Sequence, residues 1–477
     1  MESIQQTFNG TADFGKRVSC TISRNGDLIS RVYLQVDIPA VSISGSSFRW
    51  IDSLGHFLVN TVELQIGGQR IDYHYGDWLE IFNELTLPSG LKAGYQKMVG
   101  NTYALTTNEQ SNGNDVEKPQ TTLYIPLQFF FCRNPGLALP LIALQYHEVV
   151  INIEFARAAQ CYILGNAATN TTPVPSMLNP NLQNASLYVD YIYLDTDERR
   201  RFAQVSHEYL IDQLQFTGEE TFTGSTYKSR LNFNHPVKEL VWVVQRTDAV
   251  DGGMNQWCNY TTQVALAGPV VDYNDTGLNQ WSNNTYPTTT SFVAGLSDAG
   301  LLYGRESGNT NQYMGSNAYV DLRGHEGGTG NSTTGAPVQT ISAGLVPATA
   351  STSSITFPHV YGGPGAQNCV WAAKLLLNGH DRFSERKGDY FNLVQPYQHH
   401  TNIPDSPGIN VYSFALKPEE HQPSGTCNFS RIDNATLLLS VHPDIASSAL
   451  TKKLRVYAVN YNVLRIMSGM GGLAYSN

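Results

Sequence analysis

The stretch LQIGGQRIDYHYGDW (Leu64–Trp78) has a counterpart much later in the chain, LLLNGHDRFSERKGDY (Leu375–Tyr390). Both run from an apolar strand pattern through a glycine turn to an arginine, and both end on Gly-Asp followed by an aromatic residue. The Gly67-Gly68 and Asn378-Gly379 pairs are typical of tight turns between antiparallel strands. The chain therefore contains one strand–turn–strand unit twice.

Two further pairs of segments resemble each other in the same order along the chain. They are Ser23–Ile38 with Leu231–Gln245, and Pro126–Phe155 with Val411–Val441. Any two β-domains share some patterning, so each pair alone carries little weight. Three pairs in one order favour two copies of one fold.

Strand patterns dominate both copies. Val32, Leu34 and Val36 alternate with polar or aromatic residues, as do the apolar residues of 149–155 and 454–459. Alternation with a period of two places one set of side chains on the buried face of a sheet. Two helical patterns stand out, Tyr75–Leu85 and Asp195–Gln204. In the first, helical spacing places Trp78, Ile81, Phe82 and Leu85 on one face. The sequence predicts an all-β protein with few short helices.

The second helical pattern lies between two strand patterns, which predicts a linker between domains. We expect a first domain over residues 1–195, a linker helix over 196–206 and a second domain over 207–477. Residues 251–367 are rich in Gly, Ser, Thr and Asn and weak in strand signal. Long segments of this kind inside a compact domain are usually functional or disordered, so this one is interpreted as a surface insertion.

Composition excludes several classes of protein. The chain has 477 residues, a net charge of −10 and 15% charged residues, with no run of basic side chains that would bind nucleic acid. No apolar stretch is long enough to span a membrane. The N-terminus MESIQQTFNG lacks the apolar core of a signal peptide, which predicts folding in the cytosol. The six cysteines are far apart and are expected to be free, buried thiols.

The search for catalytic chemistry finds none, and no cofactor or metal is expected. His399 and His400 are adjacent, so on a strand they would face opposite ways and rarely share a metal. Glu219-Glu220 and Glu419-Glu420 do not form the facing pair that a glycosidase needs and are interpreted as solvated. The Arg199–Arg201 run could bind phosphate, but helix capping and salt bridges at the domain junction are favoured.

Nine Asn-x-Ser/Thr sequons occur in a chain rich in serine and threonine. Four lie in the 251–367 insertion, where exposure is most credible, and these are the first glycosylation candidates: Asn259, Asn274, Asn283 and Asn331. A chain that stays in the cytosol would not meet the secretory glycosylation enzymes. The sequons at Asn428 and Asn434 fall within strand patterns and are poor candidates.

Eleven blocks distributed over nearly the whole chain outside the insertion resemble one family. They include ESIQQTFNG, IGGQRIDYHYGDW, NPGLALPLIALQYHEV, DYIYLDTDERRRFAQ, KGDYFNLVQPYQ and SFALKPEEHQPSGTCNFSRIDNATL. In these blocks the chain resembles the major capsid proteins of nucleocytoplasmic large DNA viruses, most closely the chlorella-virus (phycodnavirus) branch. The resemblance implies a double jelly roll, two tandem eight-stranded antiparallel β-sandwiches.

The resemblance also implies a function. Three copies would form a pseudo-hexagonal capsomer, and capsomers with minor capsid proteins would tile an icosahedral shell over an internal membrane, without spanning it and without contact to the genome. The protein would be a late protein, folded and assembled in the host cytoplasm and located in the virion. Glycans in this branch need not follow the usual sequon, and Asn402 in TNIPDSPG resembles such a context.

Two alternatives stay open at this point. One is a minor capsid or spike paralogue of the same fold. The other is a carbohydrate-binding β-sandwich, for which Trp257, Trp281, Tyr273 and Tyr286 in the insertion could supply aromatic surface. Family members usually carry an N-terminal arm before the ESIQQT block, which here follows Met1 directly.

Overall fold

Two sets of antiparallel sheets follow one another along the chain. The computed structural model describes residues 1–43, 46–106, 116–166, 180–251, 255–262, 367–447 and 449–475. Residues 263–366, most of the predicted insertion, lie outside the described part. The two halves form a double jelly roll, as predicted.

The first half contributes thirteen strands in the described residues. Two sheets carry its core, one in the order β1-β13-β3-β10 with β9 also on β3, the other in the order β2-β11-β6-β7. The strands are β1 Glu2–Gln6, β2 Arg17–Thr21, β3 Leu28–Ile38, β4 Val41–Ile43, β5 Ser46–Trp50, β6 Val59–Ile66, β7 Gln69–Tyr75, β8 Val116–Lys118, β9 Thr121–Pro126, β10 Leu139–Pro140, β11 Val149–Phe155, β12 Tyr162–Asn166 and β13 Asn184–Ile192.

The second half repeats this order. Its sheets run β14-β24-β17-β21, with β15, β22 and β25 attached, and β16-β23-β18-β19, with β20 on β18. The strands are β14 His207–Phe216, β15 Glu220–Phe222, β16 Thr226–Leu231, β17 Pro236–Arg246, β18 Val370–Leu377, β19 His380–Asp381, β20 Arg386–Lys387, β21 Asn410–Ser413, β22 Cys427–Asn428, β23 Ala435–Val441, β24 Lys452–Met467 and β25 Met470–Leu473.

Helices are short and lie between strands. The α-helices are α1 Leu54–Leu58, α2 Gly76–Thr86, α3 Ser89–Met98, α4 Tyr103–Thr106, α5 Phe130–Arg133, α6 Thr196–Gln204, α7 Thr247–Val250 and α8 Gln395–His399. A π-helical turn, Tyr390–Val394, runs directly into α8. The other helical turns are 3₁₀: Pro135–Leu137, Leu141–Ala143, Ala158–Gln160, Phe429–Arg431 and Pro443–Ile445.

The predicted hairpin turns occur at equivalent places in the two halves. Gly67 and Gly68 join β6 to β7 with φ values of 57° and 81°, and Asn378 and Gly379 join β18 to β19 with 51° and 82°. Positive φ at two successive residues gives the turn whose twist matches antiparallel strands. The repeat seen in the sequence is therefore a repeat of structure.

Alternation predicts the core face correctly in the first half. In β3, Val32, Leu34 and Val36 are at most 2% exposed, whereas Tyr33 and Gln35 on the opposite face are half-buried. In β24 the prediction of one buried face is incomplete, because Tyr457 and Val459 on the outer face are also buried. Another element must therefore cover the outer face of the second sandwich.

Helix α6 lies between β13 and β14, within the segment that we expect to link the two domains. Asp195 accepts a hydrogen bond from the backbone N–H of Thr196 at 2.7 Å, which caps the first turn. Arg199 pairs with Asp27 of the first sandwich, Nε to Oδ1 3.0 Å. This supports the interpretation that the arginine run serves capping and salt bridges at the junction.

Candidate functional site at the junction of the two sandwiches

Helix α2 is the element that joins the two halves. It begins at Gly76, where a Cβ would lie 2.5 Å from the carbonyl oxygen of Val59, so only glycine lets the chain turn this closely. Asp77 in the first turn complements the positive end of the helix dipole. Helical spacing places Trp78, Ile81 and Leu85 on one face, as predicted.

That face packs against the outer surface of the second sandwich. Trp78, Ile81 and Leu85 are 4%, 0% and 1% exposed. They share an apolar cluster with residues of β17, β21, β24 and neighbouring segments: Val241, Val243, Tyr260, Ile409, Val411, Tyr457 and Val459. The ring of Trp78 lies 5.3 Å from that of Tyr457. Each fully buried side chain contributes about 1.5–3 kcal/mol, so this contact holds the two sandwiches as one body.

An ionic network closes one side of the contact. Asp77 pairs with Arg455 and accepts a hydrogen bond from the Tyr457 hydroxyl. Arg455 also pairs with Glu219, Nη2 to Oε2 2.6 Å. Burial opposes charge on Arg455, but Asp77 and then Glu219 outweigh it and raise the pKa of the guanidinium. Burial likewise opposes charge on Glu219, yet Arg455 lowers its pKa. Arg455 and Glu219 are therefore both charged at neutral pH.

Backbone groups carry a second set of contacts across the junction. The Leu214 N–H donates to Asp72 Oδ1 at 3.1 Å. At the other end of α2, the Asn402 N–H donates to the Leu85 carbonyl and its side-chain amide to the Glu84 carbonyl, both at 3.0 Å. These bonds satisfy carbonyl groups that the helix end leaves unpaired.

The segment 255–262, which was assigned to the surface insertion, also belongs to the junction. The Asn255 amide donates to the carbonyls of Ala159 and Tyr162, both at 2.8 Å, and the Trp257 indole N–H donates to Gln160 O at 3.0 Å. Composition predicted an exposed loop here. The side chains are instead buried against the first sandwich, which the local sequence does not indicate.

A cleft of about 360 Å³ opens between the two halves beside this segment. Its walls include Phe57 and Trp257, whose rings stack at 6.5 Å, and its charged groups include Glu219, Asp251 and Lys453. Lys453 pairs with Glu219 at 3.4 Å and with Asp251 at 3.2 Å. These carboxylates bind cations of the protein itself and do not form the facing pair of a glycosidase.

The carboxylate pairs interpreted as solvated are largely exposed, with Glu219, Glu419 and Glu420 at the surface, but each pair also supplies a carboxylate that contacts a cationic side chain. Glu219 takes part in the junction network, and Glu419 Oε1 lies 2.9 Å from His400 Nδ1. The other ring nitrogen of His400 lies 3.1 Å from Glu239. Burial disfavours the imidazolium, but Glu239 and then Glu419 raise the His400 pKa to about 9. The buried imidazole of His400 therefore lies between two carboxylates, that of the buried Glu239 and that of Glu419 at the surface.

The glycosylation candidates fall in three settings. Asn259 is 2% exposed and its amide donates to Gln256 Oε1 at 2.9 Å. Asn402 is half-buried, with its amide bound to the Glu84 carbonyl. Asn274, Asn283 and Asn331 lie outside the described residues. Glycosylation stays a prediction at all five, and at Asn259 a sugar would have to displace a buried contact.

Within the described ranges, no group of three His, Cys, Asp or Glu side chains is arranged to hold a metal ion. None of the helices in that part of the chain combines the length and apolar character that a membrane crossing needs. The six cysteines are free, and four of them are buried as predicted, whereas Cys132 and Cys427 are half-buried. Burial raises the pKa of the Cys20 thiol to about 11. Of the aromatic residues named for a carbohydrate site, Trp257 lines the cleft and the others lie outside the described residues.

Comparison with known proteins gives two family matches. Residues 198–472 match the family described as large eukaryotic DNA virus major capsid protein, and residues 1–195 match the family described as major capsid protein N-terminus. Together these matches cover almost the whole chain.

Individual relatives agree with the family matches. The major capsid protein of Phaeocystis pouchetii virus is 49% identical over all of this chain and 93% of its own length. That of Paramecium bursaria Chlorella virus 1 is 38% identical over all of this chain and 91% of its own. A chain in a quasi-atomic model of the PBCV-1 virus capsid is 35% identical, with a TM-score of 0.65, covering 100% of this chain and 96% of that one.

The fold extends to a more distant protein. The Faustovirus major capsid protein is 13% identical, with a TM-score of 0.64, over 98% of this chain and 90% of its own. At that identity the likeness supports the fold alone.

Proposed function

Because the chain belongs to the large eukaryotic DNA virus major capsid protein family and is therefore a structural capsid subunit, not an enzyme, we propose that three copies form a pseudo-hexagonal capsomer. The virion capsid is where the protein resides. The proposal concerns the assembly unit, its neighbours and its modification.

The observation that carries the trimer is the matched connectivity of the two halves. The sheets run β1-β13-β3 beside β2-β11-β6-β7 in one half, and β14-β24-β17 beside β16-β23-β18-β19 in the other. Two similar sandwiches in each chain let three chains present six similar units around one axis. We take residues 1–195 and 207–477 as these units and 196–206 as the linker.

The physics of such a ring limits the kind of contact. An isologous contact, with the same patch on both subunits, closes as a dimer, whereas a ring of three needs two different patches on each subunit. A permanent interface of this kind buries more than about 2,000 Å² in total. Contacts between capsomers, and with minor capsid proteins, can be smaller because a closed shell makes many at once.

Further parts of the proposal rest on the family and on composition. Assembly takes place in the host cytoplasm late in infection, and the shell lies over an internal membrane. The net charge of −10, with no basic run longer than Arg199–Arg201, supports a shell that does not bind the genome. Glycans sit on asparagines of the 251–367 insertion or at Asn402, and intact-mass and glycopeptide analysis of protein from virions would locate them.

Light scattering coupled to gel filtration tests the trimer directly. The expected mass is three times the 52.6 kDa of one chain, and electron microscopy should show particles of hexagonal outline. A mass of one chain at concentrations typical of assembly would refute the trimer.

A further inference from the structure

The two halves each place a helix at the same point of the fold. In the first half a Cβ on Gly76 would meet the carbonyl of Val59, the first residue of β6. In the second half a Cβ on Gly388 would overlap the carbonyl of Val370, the first residue of β18. Because the same close approach occurs at the same strand end, α2 and the helical segment 390–399 are structural equivalents.

The next residues confirm this alignment. Three positions after its glycine, each helix buries one side chain in its own sandwich, Leu79 in the first and Phe391 in the second, both 0% exposed. Counting on from these anchors, Ile81, Phe82 and Leu85 correspond to Leu393, Val394 and Tyr397.

The two equivalent faces have opposite environments. Ile81 and Leu85 are 0% and 1% exposed, because α2 packs on the second sandwich. Leu393, Val394 and Tyr397 are 47%, 40% and 76% exposed. Adjacent large apolar side chains on one surface usually mark an interaction site. Within the described part of the chain, the second helix therefore leaves exposed the side chains that correspond to the buried face of the first.

The receiving surface also occurs twice. In the second sandwich, α2 covers Val241 of β17 and Tyr457 of β24, which are direct register partners. On the corresponding strands β3 and β13, Tyr33 and Tyr188 form one of the outward-facing register pairs. Their rings stack at 5.2 Å, and Tyr124 of β9, 40% exposed, lies 6.3 Å from Tyr33. Within the described residues, Tyr124 is exposed and Tyr33 and Tyr188 are half-buried, so part of this tyrosine surface is accessible in the single chain.

We propose that the helix face Leu393, Val394 and Tyr397 of one copy packs on the tyrosine surface Tyr33, Tyr124 and Tyr188 of a second copy. This contact between two chains would have the same arrangement as the contact that α2 makes within one chain. The inference rests on the trimer proposed above. Face and surface lie on different sandwiches, so the contact is heterologous and can close a ring.

A hydrogen bond in the contact that α2 makes within the chain predicts one hydrogen bond in the proposed contact between two copies. Asp77 of α2 accepts from the hydroxyl of Tyr457. The equivalents are Asp389, which is exposed, and Tyr188 on the tyrosine surface. The Tyr188 hydroxyl of one copy should therefore donate to the Asp389 carboxylate of the next.

Two sets of substitutions test the proposal by light scattering with gel filtration. The helix variant is L393D with Y397D, and the surface variant is Y33D with Y124D. Val205, 52% exposed after the linker helix and part of neither face, supplies the control V205D. A carboxylate in either face should weaken association at least about 100-fold, because a buried unpaired charge is costly. Both variants should run as single chains and the control as the wild type does.

Mixing the two variants gives a sharper readout. The helix variant keeps an intact tyrosine surface and the surface variant keeps an intact helix face, so an equimolar mixture should form dimers of twice 52.6 kDa that neither variant forms alone. Circular dichroism melts check folding, and serine substitutions at the same positions replace any aspartate variant that melts early.

The outcomes separate the two proposals. If the wild-type chain itself is a single chain in solution, the trimer is refuted. If the wild type is a trimer and both variants stay trimeric, or if the mixture forms no dimer, this contact is refuted while the trimer stands.

Discussion

Leu85→Ala tests how much the junction contributes to the free energy of unfolding of the subunit. The matched comparison is Tyr397→Ala, at the equivalent position of the second half. Leu85 is 1% exposed in the apolar cluster between the sandwiches, and Tyr397 is 76% exposed. The two positions occupy the same place in the repeated fold and differ in what covers them.

The magnitude follows from burial. Removing the Leu85 side chain forfeits about 1.5–3 kcal/mol of transfer free energy and leaves a cavity, and such changes cost about 2–5 kcal/mol in total. We expect about 3 kcal/mol, because the neighbouring β17 and β24 are central strands that cannot collapse into the space. Tyr397→Ala should change the free energy of unfolding of the single subunit by less than about 0.5 kcal/mol.

Urea unfolding followed by tryptophan fluorescence measures both changes. Each variant is unfolded at several protein concentrations, because a contribution from association makes the midpoint depend on concentration. The Tyr397→Ala effect should disappear on dilution and the Leu85→Ala effect should persist. A loss below about 1 kcal/mol for Leu85→Ala, or equal losses for both at high dilution, would contradict the assigned role of the junction.

Three further predictions concern charge and backbone. The pKa of His400 is raised to about 9 in the folded protein, compared with 6.5 in the unfolded chain. The protonated side chain therefore stabilises the fold by up to about 3 kcal/mol, and this contribution is complete below pH 6.5 and is lost as the pH rises through 9. His400→Gln should abolish this pH dependence of the urea midpoint, measured over the same range. Asp77→Ala removes one partner of the buried Arg455 and should lower the free energy of unfolding by about 2–4 kcal/mol. If the geometry assigned to the network is right, Asp77→Asn should lower it by less. Gly388→Ala should lower the melting temperature, because its Cβ would overlap a carbonyl oxygen, while Gly90→Ala in α3, with open space around it, should not.

Periodicity and turn chemistry determine local structure and are read directly from the chain. The alternation in β3 identified its buried face, and the spacing of Trp78, Ile81 and Leu85 identified the apolar face of α2. The glycine-containing turns at 67–68 and 378–379 revealed the duplication. Each of these signals depends on residues within about ten positions of one another, so no knowledge of distant contacts is needed.

The partners of those faces could not be predicted in this way. Tyr457 on the outer face of β24 is buried because α2, some 380 positions earlier, covers it, and Glu219 is ionised because it meets Arg455, 236 positions later. A periodic pattern predicts that a side chain is buried, but it does not identify the segment that buries it. The same limit applies to 255–262, whose polar composition predicted an exposed loop although its amides bind carbonyls of the first sandwich.

The sequence by itself determined that the subunit consists of two copies of one all-β fold with a capped linker between them. Only the tertiary structure decided that the copies are used unequally, since α2 is covered by the neighbouring sandwich whereas Leu393, Val394 and Tyr397 of the corresponding segment are exposed among the described residues. The physical reason is that duplication copies both the docking face and its receiving surface. In the described part of the chain the α2 face meets its receiving surface, and that contact joins segments too distant in sequence for a local pattern to specify.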